Sequence, residues 1–113
     1  MRVLVVGGAG YIGAHVCEEL VNAGYDVRIY DDFSNGLHSR ITKFPDVVTA
    51  DVLDRESLVK SMAGVDSVIH LAAKKAVGES VDNPLKYYEN NFGGTLNILA
   101  AMKIAGVKKI VFS

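Results

Sequence analysis

Cysteine, proline and tryptophan are scarce in this sequence, and the scarcity limits what kind of protein it can be. Its 113 residues include one cysteine, two prolines and no tryptophan. A single cysteine cannot form an internal disulfide, and Cys17 has no Cys or His neighbour at metal-ligand spacing, so we interpret it as a small apolar residue on a helix. Pro45 and Pro84 lie at plausible element boundaries, and we find no linker, repeat or low-complexity tract. We therefore expect a single domain.

Strong net charge and long apolar runs are also lacking. The 12 basic and 13 acidic residues are interleaved and leave a net charge of -1. This balance argues against a nucleic-acid groove or a membrane-binding surface. The apolar stretches have only the length of strands, and the first follows almost directly on Met1, so we expect neither a signal peptide nor a transmembrane span. The expectation that remains is a cytoplasmic protein that acts on small molecules.

Short apolar runs alternate along the chain with segments of helical periodicity. The runs predict five strands, at residues 2–6, 27–30, 47–50, 67–71 and 108–112. Helices are predicted with Ile12, Val16 and Leu20 at helical spacing and Gly24 at the end, from the cap Asp54 to about Met62, and from Asn83 and Pro84 to near Gly106. Residues 36–43 read as a short polar insert that is also helical.

This alternation predicts an α/β fold with a doubly wound parallel sheet. Short links and right-handed crossovers leave few arrangements, and we expect the Rossmann-like strand order 3-2-1-4-5. In such a sheet, ligands bind beyond the carboxyl ends of the strands, where the order reverses between strands 1 and 4. The candidate site residues are therefore those that follow each strand.

A glycine-rich loop directly follows the first predicted strand. Gly7 permits a tight turn, Gly10 lets the backbone approach a pyrophosphate, and Gly13 lets the next helix pack close to the sheet. The N-terminus of that helix supplies free amides and partial positive charge for an anion. The same glycines could mark a tight turn that binds nothing. The strand before the loop, the helix after it and an acidic residue downstream favour a dinucleotide site.

That acidic residue is Asp31, at the end of the second strand. A carboxylate in this position accepts hydrogen bonds from the hydroxyls of the adenosine ribose, and its charge repels a 2'-phosphate. Asp32 follows immediately and no arginine stands beside the pair, so NAD is favoured over NADP. Asp32 has an alternative reading as a solvated loop charge.

Asp51 and Val52 close the third strand at the same edge of the sheet. The carboxylate of Asp51 could hydrogen-bond the adenine amino group, and Val52 could pack on the adenine ring. Asp51 could equally be a loop or capping residue.

Residues 7–13, Asp31 and residues 70–73 together resemble the extended short-chain dehydrogenase/reductase superfamily. The more specific string comprises residues 75–81, 83–85, 87–88 and 90–91, followed by Gly94 and Thr95. It is similar to the UDP-glucose 4-epimerase family, also called UDP-galactose 4-epimerase. Ala73, Lys74 and Asp32 depart from the residues that this family often carries.

The resemblance implies a bound NAD that takes a hydride from C4 of a UDP-sugar and returns it to the other face, so that UDP-glucose and UDP-galactose interconvert. It implies that the cofactor contacts Gly7, Gly10, Tyr11, Ile12, Gly13, Asp31, Asp32, Phe33, Ser34, Asn35, Gly36, Asp51, Val52, Leu71, Ala72, Ala73, Lys74, Lys75 and Asn90. Lys75, Ala76 and Val77 would face the UDP-sugar. The helix that opens at Pro84 would contribute to a homodimer.

Catalytic residues are not found in these 113 residues. The superfamily uses a Tyr-x-x-x-Lys pair, and no lysine stands four positions after any of the five tyrosines. His15, His38 and His70 lie on a predicted helix, an insert and a strand, where we interpret them as structural, and no metal cluster forms. The chain alone is therefore predicted to be inactive.

Two explanations of that absence stay open. In one, the chain is the N-terminal NAD-binding portion of a longer epimerase and lacks the C-terminal strands and the substrate domain. In the other, it is a stand-alone, non-catalytic NAD-binding protein. A related nucleotide-sugar dehydratase or decarboxylase of the same fold is a third candidate, against which residues 75–81 argue.

Overall fold

A single parallel sheet organises the structure, a computed structural model that describes residues 1–34, 36–72 and 84–112. The side chains of residues 86–88 and 90 are not among the described parts. The elements are β1 (Arg2–Val6), α1 (Tyr11–Asn22), β2 (Asp26–Asp31), a 3-10 turn (His38–Arg40), β3 (Val47–Thr49), α2 (Arg55–Ser61), β4 (Ser67–His70), α3 (Pro84–Ala105) and β5 (Lys109–Phe112).

The strand order is β3-β2-β1-β4-β5, with every neighbouring pair parallel. The α/β fold class and the order 3-2-1-4-5 predicted from the sequence are confirmed. Strand ends differ from the prediction by at most one residue. Most of the insert predicted as helical at residues 36–43 is irregular, since only its centre forms a 3-10 turn. Asn83, the predicted cap of α3, lies outside the described residues.

Each face of the sheet has its own hydrophobic core. On the face that carries α1, the front face, Val3 and Val5 pack with Cys17 and Ile29. On the opposite, back face, side chains of α2 and α3 cover the sheet; the cluster comprises Leu4, Val6, Tyr30, Leu58, Met62, Val65, Val68, Ile98, Ala101, Met102 and Val107. Burial on both faces explains why the central strand reads as a continuous apolar run rather than an alternating one.

Helix α1 presents small residues to the sheet. Its fully buried residues are Gly13 and Cys17, whereas Ile12, one of the three residues in the predicted apolar series, is 56% exposed. The partly buried Ala14 and Leu20 of the same helix also pack against the front core. Cys17 is therefore a core residue, as predicted, and burial raises the pKa of its thiol to about 12, which keeps it neutral.

Helix α2 begins at the predicted cap. The carboxylate of Asp54 accepts hydrogen bonds from the Ser57 amide at 3.1 Å and the Ser57 hydroxyl at 2.7 Å. Hydrogen bonding by Ser57 is also the main reason why the pKa of Asp54 is lowered. Within the described ranges, no helix combines the length and apolar character that a membrane crossing requires.

Truncation of Leu58 tests the back core. Leu58 is fully buried between α2 and the sheet. We expect Leu58→Ala to lower the free energy of unfolding by about 2–5 kcal/mol, the cost of lost burial plus a residual cavity. Urea denaturation measures it. The exposed Leu37 provides the matched control, because Leu37→Ala should change stability by no more than about 0.5 kcal/mol. Equal effects of the two changes would contradict the packing described.

Candidate dinucleotide-binding site

The carboxyl ends of four strands meet at one edge of the sheet. Val6 of β1 pairs in register with Tyr30 of β2 and His70 of β4, and Asp31 pairs with Thr49 of β3. The segments that follow these strands include nearly all the predicted cofactor residues. The topology therefore brings together the glycine loop, the turn after β2, the turn after β3 and the end of β4.

The glycine loop is too tightly packed for side chains at its two ends. Gly7 has a φ of +90°, and a Cβ there would lie 2.7 Å from the backbone nitrogen of Ala72. A Cβ at Gly13 would overlap the carbonyl oxygen of Gly7 and lie 2.9 Å from the Cα of Gly8. These contacts give Gly7 and Gly13 the roles predicted from their spacing: a tight turn and a close approach of helix to strand.

Gly10 differs from the other two in its described surroundings. Among the described residues, a Cβ there would meet only the Gly7 carbonyl oxygen, at an ordinary contact distance of 3.5 Å. Its backbone is extended (φ -72°, ψ 171°), a conformation open to any residue. Packing against the described residues therefore does not require glycine at this position. The predicted close approach of a pyrophosphate to Gly10 stays a prediction.

Helix α1 starts immediately after Gly10 and has no side-chain cap. The first amides of a helix have no acceptor within it, and they carry roughly half a unit of positive charge. Tyr11 and Ile12, at this N-terminus, are both exposed. The loop and helix together present backbone donors to an anion.

Asp31 is buried at the end of β2 and bridges two loops. Its Oδ2 accepts a hydrogen bond from the Ala9 amide at 2.9 Å, and its Oδ1 accepts one from the Phe33 amide at 2.8 Å. Gly36 lies against the same carboxylate, since a Cβ there would be 3.2 Å from Oδ1. Each carboxylate oxygen can accept a further hydrogen bond, so Asp31 retains capacity for a ribose hydroxyl.

The turn after β2 is shaped by local contacts. Asp32 is exposed, and its Oδ1 accepts hydrogen bonds from the amide and hydroxyl of Ser34 at 2.9 and 2.8 Å. Phe33 has a φ of 63°, which is uncommon for a residue with a side chain, and its ring stacks on His38 at a centroid distance of 3.7 Å. Asp32 thus stabilises its own turn, in line with its alternative reading. Contact of these residues with a cofactor stays a prediction.

Arg40 is a residue that sequence reasoning missed. It stands nine positions after Asp31 in the chain, yet its Nη1 lies 3.4 Å from the carbonyl oxygen of Ala9 in the glycine loop. The 3-10 turn carries it there, next to the Leu37 amide, which donates to the same carbonyl at 3.1 Å. Arg40 is too far from Asp31 in the sequence to be recognised from the residues that flank Asp31.

The turn after β3 holds Asp51 and Val52. The Oδ1 of Asp51 accepts a hydrogen bond from the Leu53 amide at 2.9 Å, so the exposed carboxylate closes its own turn. Val52 is half-buried and packs at the edge of the back core. Both of the readings proposed for Asp51, turn residue and ligand contact, are compatible with this geometry.

The end of β4 closes the site from the other side. Leu71 and Ala72 are half-buried, and the Leu71 amide donates to the Val6 carbonyl at 2.8 Å. The other predicted residues of this segment, with the one from the turn after β2, lie outside the described residues: Asn35, Ala73, Lys74, Lys75, Ala76 and Val77. Asn90 lies on α3, and its side chain is not described.

His70 is buried beneath this edge. Thr95 Oγ1 donates to the Asn91 carbonyl at 3.0 Å, so the 3.1 Å contact of Oγ1 with His70 Nε2 is a hydrogen bond donated by the ring. Burial lowers the pKa of His70, and the ring is neutral near pH 7. His70 therefore ties β4 to α3. Among the described residues, no three His, Cys, Asp or Glu side chains come together as a metal site.

The groups at this edge of the sheet suit the binding of a dinucleotide. It offers helix-terminal amides for a diphosphate, a buried carboxylate for ribose hydroxyls, and an open glycine between them. The hydroxyls that do lie against a carboxylate or imidazole here close local turns or tie elements together: Ser34 with Asp32, Ser57 with Asp54 and Thr95 with His70. The chemistry available here is recognition and orientation of a cofactor.

Comparisons with known proteins agree with this geometry. The chain is 47% identical to a UDP-glucose 4-epimerase from Bacillus subtilis, over 100% of its own length and 36% of that relative's. The UDP-glucose-4-epimerase from Stenotrophomonas maltophila, solved with bound NAD and formylated UDP-arabinopyranose, superposes with a TM-score of 0.95 at 42% identity, covering 99% of this chain and 36% of that one.

A sugar-nucleotide dehydratase also shares the fold, at lower identity. The dTDP-glucose 4,6-dehydratase DesIV from Streptomyces venezuelae, solved with NAD and TYD, gives a TM-score of 0.89 at 30% identity, covering 97% of this chain and 38% of that one. Residues 3–113 match the family described as "NAD dependent epimerase/dehydratase family". The chain therefore belongs to the NAD-dependent epimerase/dehydratase family.

Proposed function

We propose that this chain binds NAD along the carboxyl edge of its sheet and forms the cofactor-binding part of a UDP-hexose 4-epimerase. The observation that carries the NAD proposal is the junction of the glycine loop with Asp31, where one buried carboxylate holds the loop beside a helix N-terminus. The 47% identity to a UDP-glucose 4-epimerase over the whole chain supports the choice of reaction. The lower identity to the dehydratase makes that activity the second candidate.

In this proposal, the segments around the edge divide the cofactor between them. The amides of Tyr11 and Ile12 face the pyrophosphate, and Asp31 to Gly36 surround the adenosine ribose. Asp51 and Val52 flank adenine, Leu71 to Lys75 line the middle of the cofactor, and Asn90 reaches the nicotinamide half. Lys75, Ala76 and Val77 contact the UDP-sugar, for which the lysine supplies a cation near the diphosphate.

Bound NAD supplies a hydride acceptor for C4 of the sugar. The residues of this chain bind and orient it, and the negative charge of Asp31 and Asp32 disfavours the 2'-phosphate of NADP.

The 113 residues contain no Tyr-x-x-x-Lys pair, so we assign the proton transfer to residues outside them and expect this segment alone to be inactive. The chain spans only 36% of the Bacillus subtilis relative. A cytoplasmic location stays a prediction.

Alanine substitutions in the glycine loop separate ligand binding from folding. Gly10→Ala should leave the free energy of unfolding within about 0.5 kcal/mol of wild type, because among the described residues its Cβ meets no close neighbour. It should weaken NAD binding about tenfold or more, because the methyl group occupies the closest approach to the pyrophosphate. Calorimetric titration of the protein as encoded by its gene, freed of bound nucleotide, measures this, and wild type should bind NAD more tightly than NADP.

Gly13→Ala is the contrasting variant. Its methyl group overlaps the Gly7 carbonyl, so stability should fall by about 1–3 kcal/mol together with NAD affinity. Unchanged NAD binding by a folded Gly10→Ala protein would remove the loop from the site. Absence of NAD binding by folded wild type would defeat the proposed function.

The epimerase activity itself is tested with UDP-galactose. The protein as encoded should convert it to UDP-glucose without net reduction of NAD, because the hydride taken from C4 is returned. Product analysis by chromatography, together with absorbance at the wavelength of reduced nicotinamide, reads both quantities. A 4-keto-6-deoxy product from a dTDP-hexose, with no epimerisation, would favour the dehydratase instead.

We further propose a homodimer that forms through α3. Leu85, Phe92, Leu96 and Leu99 are exposed on this helix and recur at spacings of seven, four and three residues, which places them along one stripe. The buried hydrophobic side chains described on this helix, those of Ile98, Ala101 and Met102, face the back core. An apolar stripe opposite the core face is the pattern that helices use to pair across an interface.

Charges placed on the stripe test the dimer. The double variant Leu96→Glu and Leu99→Glu should sediment as a monomer, because burying four carboxylates in the two-fold contact is strongly unfavourable. Leu37→Glu, equally exposed but on the loop after β2, should keep the wild-type sedimentation coefficient. A stripe variant that sediments like wild type would place the interface elsewhere.

A further inference from the structure

The turn after β3 is held from behind by side chains that belong to two other elements. The first is Tyr30, the next-to-last residue of β2, whose ring is fully buried in the back core. Its hydroxyl donates a hydrogen bond to the carbonyl oxygen of Asp51 at 2.6 Å. The Asp54 carbonyl lies farther from the hydroxyl, at 3.5 Å. A buried phenol thus reaches the exposed turn through its single polar atom.

The Tyr30 hydroxyl remains a donor at every physiological pH. Burial, and after it the carboxylates of Asp54, Asp51 and Asp32, raise the pKa of this phenol above its usual value of 10.0. It therefore keeps its proton, and the bond to the Asp51 carbonyl persists.

Helix α3 holds the next peptide of the turn. The Nδ2 of Asn97 donates to the carbonyl oxygen of Val52 at 3.2 Å. The Oδ1 of the same amide accepts from the guanidinium of Arg55 at 3.2 and 3.0 Å, which fixes the amide's orientation. Two successive carbonyls of the turn are therefore bound by side chains, one from the strand side and one from the helix side.

Direct packing adds to these hydrogen bonds. A Cβ at Gly94 would lie 2.7 Å from Cγ2 of Val52, and one at Gly93 would lie 3.3 Å from Cδ2 of Leu53. The paired glycines let α3 lie against the turn. β3 itself is only three residues long.

We propose that Tyr30 and Asn97 are positioning residues for the adenine half of the cofactor, acting by fixing the Asp51–Val52 peptides at the edge of the sheet. This inference rests on the NAD site proposed above. Neither side chain contacts the ligand. Their effect is to keep the turn in one conformation before binding, so that ordering it costs no binding energy.

The test removes one polar group at a time. Tyr30→Phe keeps the buried ring and deletes the hydroxyl, and Asn97→Ala deletes the carboxamide at a helical position where alanine is well tolerated. In calorimetric titrations of the protein as encoded, each change should weaken both NAD and AMP by the same factor, about three- to tenfold, the effect of one lost hydrogen bond. The maximal epimerisation rate at saturating NAD should stay at the wild-type value.

Tyr25→Phe is the matched control, because it deletes the hydroxyl of a partly exposed tyrosine that directly precedes the first residue of β2. It should leave NAD and AMP affinities unchanged.

A purely structural role for Tyr30 and Asn97 predicts lower stability in urea with wild-type affinities, and that result overturns the inference while leaving the NAD site intact. Weaker NAD binding with unchanged AMP binding also overturns it. If Tyr30→Phe does not fold, Asn97→Ala decides alone. Wild-type protein that binds no NAD overturns both proposals.

Discussion

The carboxylate of Asp31 accepts hydrogen bonds from two backbone amides that belong to different loops. One is Ala9 in the glycine loop, and the other is Phe33 in the turn after β2. A buried carboxylate is costly unless it is hydrogen-bonded, and hydrogen bonds to a charged group stabilise by about 1.5–3 kcal/mol. The charge therefore stabilises the shape of the loop that would bind the cofactor. A group read from the sequence as a ligand contact is also part of the framework of the site.

The remaining features of the edge follow from this arrangement. With the loop held against β2, Gly7 lies against the backbone of Leu71 and Ala72, and Gly13 lies against the backbone of the loop. Neither position has space for a side chain. The helix that follows lies close to the sheet, so its buried residues are small. On the back face, the same closeness recurs where Gly94 of α3 meets Val52. Glycine thus stands at each of these close approaches, of backbone to backbone at Gly7 and Gly13 and of helix to the Val52 side chain at Gly94.

The fold was largely predictable because its signals are local. Apolar runs of strand length alternate with capped, helix-spaced segments, and right-handed crossovers then leave few strand orders, of which the expected one is confirmed by the structure. One prediction was wrong in detail, that of a helical insert at residues 36–43, where only His38–Arg40 forms a 3-10 turn. Of the described residues in this region, Ile41 and Phe44 join the front core. The other residues of the insert are mostly polar and gain no burial that would stabilise a helix.

The sequence by itself determined the parallel sheet, the glycine loop, the acidic residue after β2 and the family to which these belong. The glycine loop and the acidic residue depend on positions within one strand-turn-helix unit or at a fixed distance after it, and the sheet depends on apolar runs that are each local in the chain. The family was indicated by resemblance, chiefly that of residues 75–95. Only the tertiary structure decided that Asp31 bridges two loops, that Arg40 reaches the Ala9 carbonyl, and that Tyr30 and Asn97 hold the turn after β3 from behind. These contacts join residues that are 21 to 45 positions apart. Side-chain hydrogen bonds over such sequence distances leave no periodic pattern in the sequence, because the folded backbone brings their partners together.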